Sequence, residues 1–316
     1  VLRGPASVIH GDGAIGGVIN IVPKKPTRGA IENEISATVG SEDTARLGFG
    51  SGGALTPELA YRLDVSGNYS GGWVDRGRSS DATFSGALLW QPRADLQLTL
   101  THAQGHQKPM RYFGTPLVDG RQLDALRHRN YNVEDSDIRF RDRWTQLDAL
   151  WTPNANVEWR TRVYQIDSQR DWRNAEAYVY NPGTGLIDRS GNTRITHNQD
   201  QTGLTSTLRV QGNIAGLANS FAVGLDANRA HFKHTNNTYA GSSGPVDPFH
   251  PVPGQFASDA PNLPRYRNGA EQYALFNDEV MPALRAEGIV VLNHAERDAA
   301  QRQWVARFFE TQVRPL

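Results

Sequence analysis

The stretch 59-LAYRLDVSGNY-69 decides the fold class of this chain. Apolar and polar side chains alternate along it. One face carries Leu59, Tyr61, Leu63, Val65 and Tyr69, and the other carries Arg62, Asp64, Ser66 and Asn68. A period of two predicts a β-strand with one apolar face. The alternation alone fits a soluble sandwich, whose apolar face points inward, and also a membrane barrel, whose apolar face points to lipid.

The same pattern recurs and predicts ten strands, at residues 31–39, 45–51, 59–69, 82–90, 96–104, 143–151, 157–169, 202–211, 220–234 and 271–276. Short connections are predicted at 53–58, 92–95, 152–155 and 212–219. After a tight first hairpin at 40–43, the intervening connections are long, at 70–81, 105–142, 170–201 and 235–270. Alternating short turns and long loops are typical of outer-membrane barrels, whereas soluble domains rarely carry such long structureless loops.

Composition agrees with a strand-built membrane protein. The 316 residues have a mean hydropathy of −0.55, and 33 basic residues balance 33 acidic ones. No run of about 18 apolar residues occurs, so no transmembrane helix is predicted. A barrel strand stays polar on average because only every second side chain faces lipid. The balanced charge gives no support for a nucleic-acid partner.

The first 26 residues read VLRGPASVIHGDGAIGGVINIVPKKP. The Leu-Arg-Gly-Pro opening, the glycine cluster at 11–17 and the apolar stretch 18–22 before two lysines resemble the end of the plug domain of TonB-dependent outer-membrane receptors. The ferric-siderophore branch of that family is the most similar. An ordinary glycine-rich turn is the alternative. The resemblance implies that the plug packs against the inner barrel wall through Arg3, Gly4, Gly11, Gly13, Gly16 and Gly17, with Arg3 paired to lumen carboxylates.

The resemblance also implies a fold and a function. We expect an all-β chain: the C-terminal part of a plug at 1–27, the N-terminal part of a transmembrane antiparallel β-barrel at 28–277, and a short helical tail at 278–316. The implied function is TonB-dependent uptake of a ferric siderophore across the bacterial outer membrane, without enzymatic chemistry. The implied partners are the siderophore, the TonB energy-coupling complex through plug residues that precede this segment, and outer-membrane lipid.

Family barrels close with about 22 strands, whereas this sequence offers roughly ten. An open strand edge in hydrocarbon costs several kcal/mol per unsatisfied backbone group. The sequence is therefore interpreted as a receptor fragment that is not competent alone. A soluble or surface-exposed β-rich binding module is the alternative function.

Ligand contacts are predicted in the long connection 105–142, which is rich in cationic and aromatic residues. The candidates are Arg111, Tyr112, Phe113, Arg127, His128, Arg129 and Tyr131. Arginine recognises carboxylates in a bidentate manner, and aromatic rings offer flat contact area for an anionic iron chelate. The alternative is a solvated loop whose charges bind lipopolysaccharide phosphates or maintain solubility.

The histidines do not predict a metal site. His231 and His234 are three apart on a strand and point to opposite faces. His102 and His106 share a face but have no third ligand nearby in the sequence. We therefore expect no cofactor bound directly by the protein, with iron carried inside its chelator.

From Asp278 the period changes, and the last residues resemble the N-terminal region of polyphosphate kinases. The resemblance covers some forty residues and contains no catalytic or nucleotide-binding position of that family. A polyphosphate kinase fragment is thus the least favoured function. The tail is interpreted as foreign to the receptor, from a chimeric gene or an assembly error, and a divergent periplasmic cap helix is the alternative.

Overall fold

A computed structural model describes residues 2–3, 17–18, 23–214, 217–239, 241–242, 244–259, 261, 263–280 and 303. Strands β1 (Leu2–Arg3) and β2 (Gly17–Val18) pair with each other. Ten more strands form a second sheet: β3 (Glu32–Gly40), β4 (Thr44–Ala54), β5 (Leu59–Ser70), β6 (Ser79–Arg93), β7 (Leu96–Lys108), β8 (Asp137–Asn154), β9 (Val157–Asn181), β10 (Leu186–Ile214), β11 (Leu217–Thr238) and β12 (Pro264–Val280). Asp124–Leu126 form a short 3-10 helix.

The large sheet is an antiparallel meander in which every strand pairs with the next one along the chain. All ten predicted strands are present, so the all-β prediction is confirmed. Within the described ranges, no helix is long and apolar enough to cross a membrane.

The sheet has one apolar face, as the alternation predicts. A register row across β6 to β10 places Leu88, Leu100, Leu147, Val163 and Leu204 side by side. Leu88, Leu100 and Leu147 are each 46 % exposed, so the described residues leave this row uncovered. A continuous row of exposed leucines indicates that this face of the sheet meets another apolar surface.

The opposite face, here called the polar face, carries charge. In the adjacent row, Asp148 lies beside Arg162, followed by Thr205 and Asp226. Arg162 Nε donates to Asp148 Oδ1 at 2.7 Å, and Thr205 Oγ1 donates to Asp226 Oδ2 at 2.6 Å. Adjacent residues on each strand therefore belong to different rows, one on the apolar face and one on the polar face.

The predicted loop at 170–201 is wrong, because β9 and β10 continue through it as a long two-stranded extension. The turn at its tip is closed by Gly185 N donating to Asn181 O at 2.8 Å, and Gly185 has φ +71°. Neither face of this segment is uniformly apolar, so the alternation that marks a half-buried strand is absent. Cross-strand backbone hydrogen bonds form regardless of that pattern.

Both ends of the chain lie mostly outside the described residues. Gly4, Gly11, Gly13 and Gly16 are among those left undescribed, while Arg3 pairs with Gly17 through the backbone of β1 and β2. The side-chain roles predicted for these plug residues therefore stay predictions. At the other end β12 runs to Val280, so the change of period predicted at Asp278 is not seen at 278–280. Apart from Gln303, the rest of the predicted helical tail lies outside the described residues.

Candidate functional site

The long connections gather at one end of the sheet, here called the loop end. They are residues 71–78, 109–136 and 239–263, and the four-residue turn 182–185 closes the strand extension at the same end. The connection 109–136 contains most of the predicted ligand residues, so its structure decides which of them a ligand could reach.

Tyr131 anchors this connection. Its side chain is fully buried, at 0 % exposure, in a cluster with Ile187 and Val246. The hydroxyl donates to Pro248 O at 2.7 Å, and burial raises the pKa of Tyr131 to about 12. The ring thereby joins the connection 109–136 to the strand extension and to the connection 239–263.

The asparagines on either side of Tyr131 are also buried. The side-chain amides of Asn132 and Asn174 lie 2.8 Å apart and share a hydrogen bond. Arg76 Nη2 donates to the carbonyl oxygens of Asn130 at 2.6 Å and Asn132 at 3.0 Å. Buried amides with partners fix one backbone conformation, because an unpaired one is costly.

Arg189, on β10, holds the same segments from the other side. Its Nη2 donates to Gly244 O at 2.7 Å, and its Nη1 donates to Tyr131 O at 3.4 Å. Burial lowers the pKa of Arg189. Residues 109–136, with the segments that Tyr131 and Arg189 join to them, are here called the loop platform.

The predicted ligand residues take different positions on this platform. Arg111 donates to the backbone oxygens of Glu134 at 3.0 Å and Ser136 at 2.5 Å. Arg129 Nη1 pairs with Asp75 Oδ2 at 3.2 Å, and Arg127 is exposed. Arg111 is therefore held within the platform and Arg129 is held by the neighbouring connection 71–78, whereas Arg127 is exposed and pairs with Asp124 at 3.7 Å.

The aromatic candidates fall into two groups. Tyr112 and His128 both contact Trp73, with ring centroids 5.1 and 6.3 Å from the indole. Phe113 instead packs edge-on against Trp172, 5.4 Å away. The structure thus brings Tyr112 and His128 together and places Phe113 against the wall of the sheet. The ligand role of these residues stays a prediction.

Sequence reasoning missed a second set of residues on the polar face near the loop end. One register row crosses five strands and contains Phe140, Arg170, His197, His234 and Tyr266. We call it the mouth row. Arg170 lies over the Phe140 ring, with its guanidinium carbon 4.8 Å from the centroid, and Phe140 stacks with Trp172 at 6.1 Å. Through Trp172 and Phe113 the mouth row is continuous with the loop platform.

The other half of the mouth row is a stack of aromatic rings. The centroids of His197 and His234 are 4.9 Å apart, and those of His234 and Tyr266 are 4.7 Å apart. Burial, then the neighbouring charges of His234 and Arg170, lower the pKa of His197. This arrangement offers flat rings beside a guanidinium, which is suited to an anionic, partly aromatic ligand.

The strand register is the signal that could have found the mouth row. Its members are separated by 27 to 37 residues in the sequence, and His197 fell in a segment predicted as a loop. Because β10 begins at residue 186, His197 lies within this strand. Pairing of β10 with β11 then places His197 opposite His234.

A second site lies on the polar face where residues 23–31 lead into β3. Lys24 forms ion pairs with Glu34 and with Asp64, the latter at 3.3 Å. Arg62 contacts the same two carboxylates, with Nη2 2.5 Å from Glu34 and Nε 2.7 Å from Asp64. Gly50 lies between Glu34 and Asp64 in the register, and a Cβ there would come within 2.6 Å of Arg62 Nη2. Glycine at this position makes room for the four-charge cluster.

These features define a class of protein. An antiparallel meander with one uncovered apolar face, long connections at one end and a charged opposite face is the pattern of outer-membrane barrels. In sequence and in fold the chain resembles TonB-dependent siderophore receptors of the outer membrane, as its first 26 residues predict, and that prediction is confirmed.

Particular relatives make the resemblance concrete. The ferrioxamine receptor of Yersinia enterocolitica is 23% identical over 265 residues, covering 80% of this chain and 36% of the relative. The probable TonB-dependent siderophore receptor PirA of Acinetobacter baumannii is 36% identical over 145 residues, covering 40% of this chain and 19% of the relative. No family model matches the sequence.

The fold comparison gives the same class. The ferripyoverdine receptor of the outer membrane of Pseudomonas aeruginosa superimposes with a TM-score of 0.74 at 16% identity, covering 88% of this chain and 38% of that structure. Both of these matches cover most of this chain. The chain, however, spans only about a third of the length of either protein. These relatives are receptors rather than enzymes.

Proposed function

We propose that this chain forms part of a TonB-dependent receptor that takes up a ferric siderophore across the bacterial outer membrane. The observation that carries the proposal is the mouth row: cationic and aromatic side chains on the polar face, at the loop end of a sheet whose other face is apolar. In this arrangement the apolar face meets outer-membrane lipid and the polar face lines the interior of a barrel.

The sheet is proposed to be one portion of a closed barrel. Strands β3 and β12 are the two edges of the meander, and among the described residues no further strand pairs with either edge. In hydrocarbon, unpaired backbone groups cost several kcal/mol each, so further strands must pair with both edges. We assign residues 1–27 to the plug and, because β12 runs to Val280, residues 28–280 to the barrel, followed by a tail of different origin.

The ligand surface is proposed to combine the mouth row with the exposed side of the loop platform. Arg127, Tyr112 and His128 are accessible candidates there, while Tyr131 and Arg111 stabilise the platform from within. No covalent step is assigned to any of them. Iron enters as cargo within its chelator, and no resident cofactor is needed.

The four-charge cluster supports a link between plug and wall. Lys24 lies near the end of the plug segment, and its two carboxylate partners lie on β3 and β5. We propose that this cluster fixes the exit of the plug to the barrel when the energy-coupling complex pulls on more N-terminal plug residues. A nucleic-acid partner has no support in the balanced charge.

Equilibrium binding to the complete gene product, purified in detergent micelles, tests the function. Ferric hydroxamate, catecholate and carboxylate siderophores would each be titrated while tryptophan fluorescence is recorded, since Trp172 adjoins the mouth row. Saturable quenching by at least one ferric complex, and weaker quenching by its iron-free form, supports the proposal. Absence of quenching by every class, or a protein that stays folded and monomeric without detergent, supports the β-rich binding module instead.

A further inference from the structure

We propose that His197 and His234 form a paired imidazole site that binds a transition-metal chelate through vacant coordination positions on the metal. The site goes beyond the proposed function, because it gives the mouth row a second class of cargo besides a ferric siderophore. The inference rests on the proposed function in one respect, namely that the ligand of the mouth row is a metal complex.

The spacing of the two rings fits chelation of one ion. Two imidazoles bound side by side to a metal at about 2.0–2.1 Å from each nitrogen place their centroids about 4.5–5.3 Å apart, for octahedral to tetrahedral angles. The observed separation of His197 and His234 is 4.9 Å, with 40° between the ring planes. The strand register explains this separation, since the two residues lie directly opposite each other on β10 and β11.

The surroundings of the pair leave a nitrogen without a partner. The Nδ1 atom of His234 is buried and has no hydrogen-bond partner among the described residues. A buried polar atom of this kind is destabilising unless something satisfies it, and a metal ion is one group that would.

Two histidines alone do not complete a coordination shell. No group of three or more His, Cys, Asp or Glu side chains suited to a metal ion occurs in the part of the chain that the structure describes. The remaining donors must therefore come from the chelator. Imidazole suits divalent nickel, copper, zinc and cobalt, so the class is a complex of such an ion with a chelator of three or four donor atoms.

A saturated complex gains nothing from the imidazole pair. A chelator that occupies all six positions of an octahedral ion leaves no site for either imidazole. Arg170, next to His197 in the mouth row, adds a cation that suits chelators bearing carboxylates. The histidine pair therefore favours complexes with vacant coordination positions on the metal, and Arg170 favours complexes that carry negative charge.

The test uses two nickel complexes with aminocarboxylate chelators. Nickel(II) nitrilotriacetate leaves two adjacent positions open, and nickel(II) ethylenediaminetetraacetate leaves none. Both would be titrated by calorimetry into the detergent-solubilised protein without an oligohistidine tag, and into His197→Gln, His234→Gln and the double variant. A second double variant, H102Q/H106Q, removes two other histidines of the sheet and serves as the matched control.

We expect the wild-type protein and H102Q/H106Q to bind the nitrilotriacetate complex and to ignore the saturated one. Each mouth-row single variant should bind at least about tenfold more weakly, since the second attachment is lost. Equal binding by the wild type and by H197Q/H234Q, or binding of both complexes alike, would overturn the proposal. Saturable binding of a ferric hexadentate siderophore together with no nickel binding would refute this site and leave the proposed uptake function standing.

Discussion

Arg170 on β9 lies over the ring of Phe140 on β8, with 4.8 Å between the guanidinium carbon and the ring centroid. The same guanidinium pairs with Asp142 through Nη2 at 2.9 Å. One arginine therefore spans the junction between the polar face of the sheet and the aromatic contacts that lead to the loop platform. It is held in place before any ligand arrives, which reduces the entropic cost of binding.

Replacing Arg170 should weaken the binding of an anionic ferric complex. Hydrogen bonds to charged groups contribute about 1.5–3 kcal/mol, so Arg170→Gln is expected to lower affinity by about tenfold or more. Titration of tryptophan fluorescence provides the measurement. Arg160, which lies on the same face and pairs with Glu158 at 2.7 Å near the short turns, supplies a matched control in Arg160→Gln. Equal losses in the two variants would contradict a specific role for Arg170.

The strand order could be predicted from sequence because period-two alternation and turn residues are local signals. Leu59–Ser70 is observed almost as predicted, since its apolar residues share one face. The extension of β9 and β10 could not be predicted in the same way. Residues such as Arg173, Asn174 and Thr193 have no apolar face to reveal them, and their strand conformation depends on pairing with one another.

The site shows the same limit. Sequence reasoning found the cationic and aromatic content of residues 109–136, but it did not show that Tyr131 is buried against Ile187, 56 positions away. It also treated His234 only against its near neighbour His231. The partner of His234 is His197 on another strand, which only the register between β10 and β11 reveals.

The pKa of His197 is predicted to lie below 6.5, the ordinary value for histidine. Burial is the largest cause, and the charges of His234 and Arg170 act in the same direction. His197 lies seventeen residues from the end of β10 at Ile214, whereas a membrane-spanning strand needs about 9–11, so the ring is outside the hydrocarbon. NMR titration of isotope-labelled histidine, assigned with His197→Gln, measures this pKa.

The sign of the accompanying pH effect follows from linkage. An unfolded chain protonates His197 near pH 6.5, before the folded protein does, so stability decreases as the pH falls through that value. Arg170→Gln removes one positive neighbour and should raise the pKa of His197. An unchanged or lower pKa in that variant would contradict the electrostatic account of the mouth row.

Tyr131 should stabilise the loop platform rather than the sheet. Tyr131→Phe removes only the hydrogen bond to Pro248 O and is expected to cost about 0.5–1.5 kcal/mol of local stability. Tyr131→Ala also leaves a cavity, with an expected cost of about 3–5 kcal/mol. Limited proteolysis should cut residues 109–136 faster in the alanine variant than in the phenylalanine variant, while the β-sheet circular dichroism stays unchanged. Equal cleavage of the wild type and the alanine variant would show that the platform does not depend on this residue.

Gly50 should be required for the four-charge cluster. In Gly50→Ala the new Cβ would lie 2.6 Å from both Arg62 Nη2 and Glu34 Oε1, so the two side chains must move apart. Lys24 then loses its fixed carboxylate partners and should react faster with an acylating reagent, which mass spectrometry can follow. Gly105→Ala, on the same face with nothing within 4 Å of its Cβ, should leave the rate unchanged. A faster reaction in both variants, or in neither, would contradict the proposed role of the glycine.

Uptake of radioactive iron by whole cells tests the central claim most directly. The complete gene product would be expressed in a bacterium that lacks its own siderophore receptors, with and without the TonB energy-coupling protein, and supplied with the ferric siderophore that quenches the purified protein most strongly. The account predicts iron accumulation that requires both the receptor and the coupling protein, and that falls in Arg170→Gln but not in Arg160→Gln. Accumulation that persists without the coupling protein, or no accumulation with any ferric siderophore, would contradict the assignment of this chain to an energy-coupled siderophore receptor.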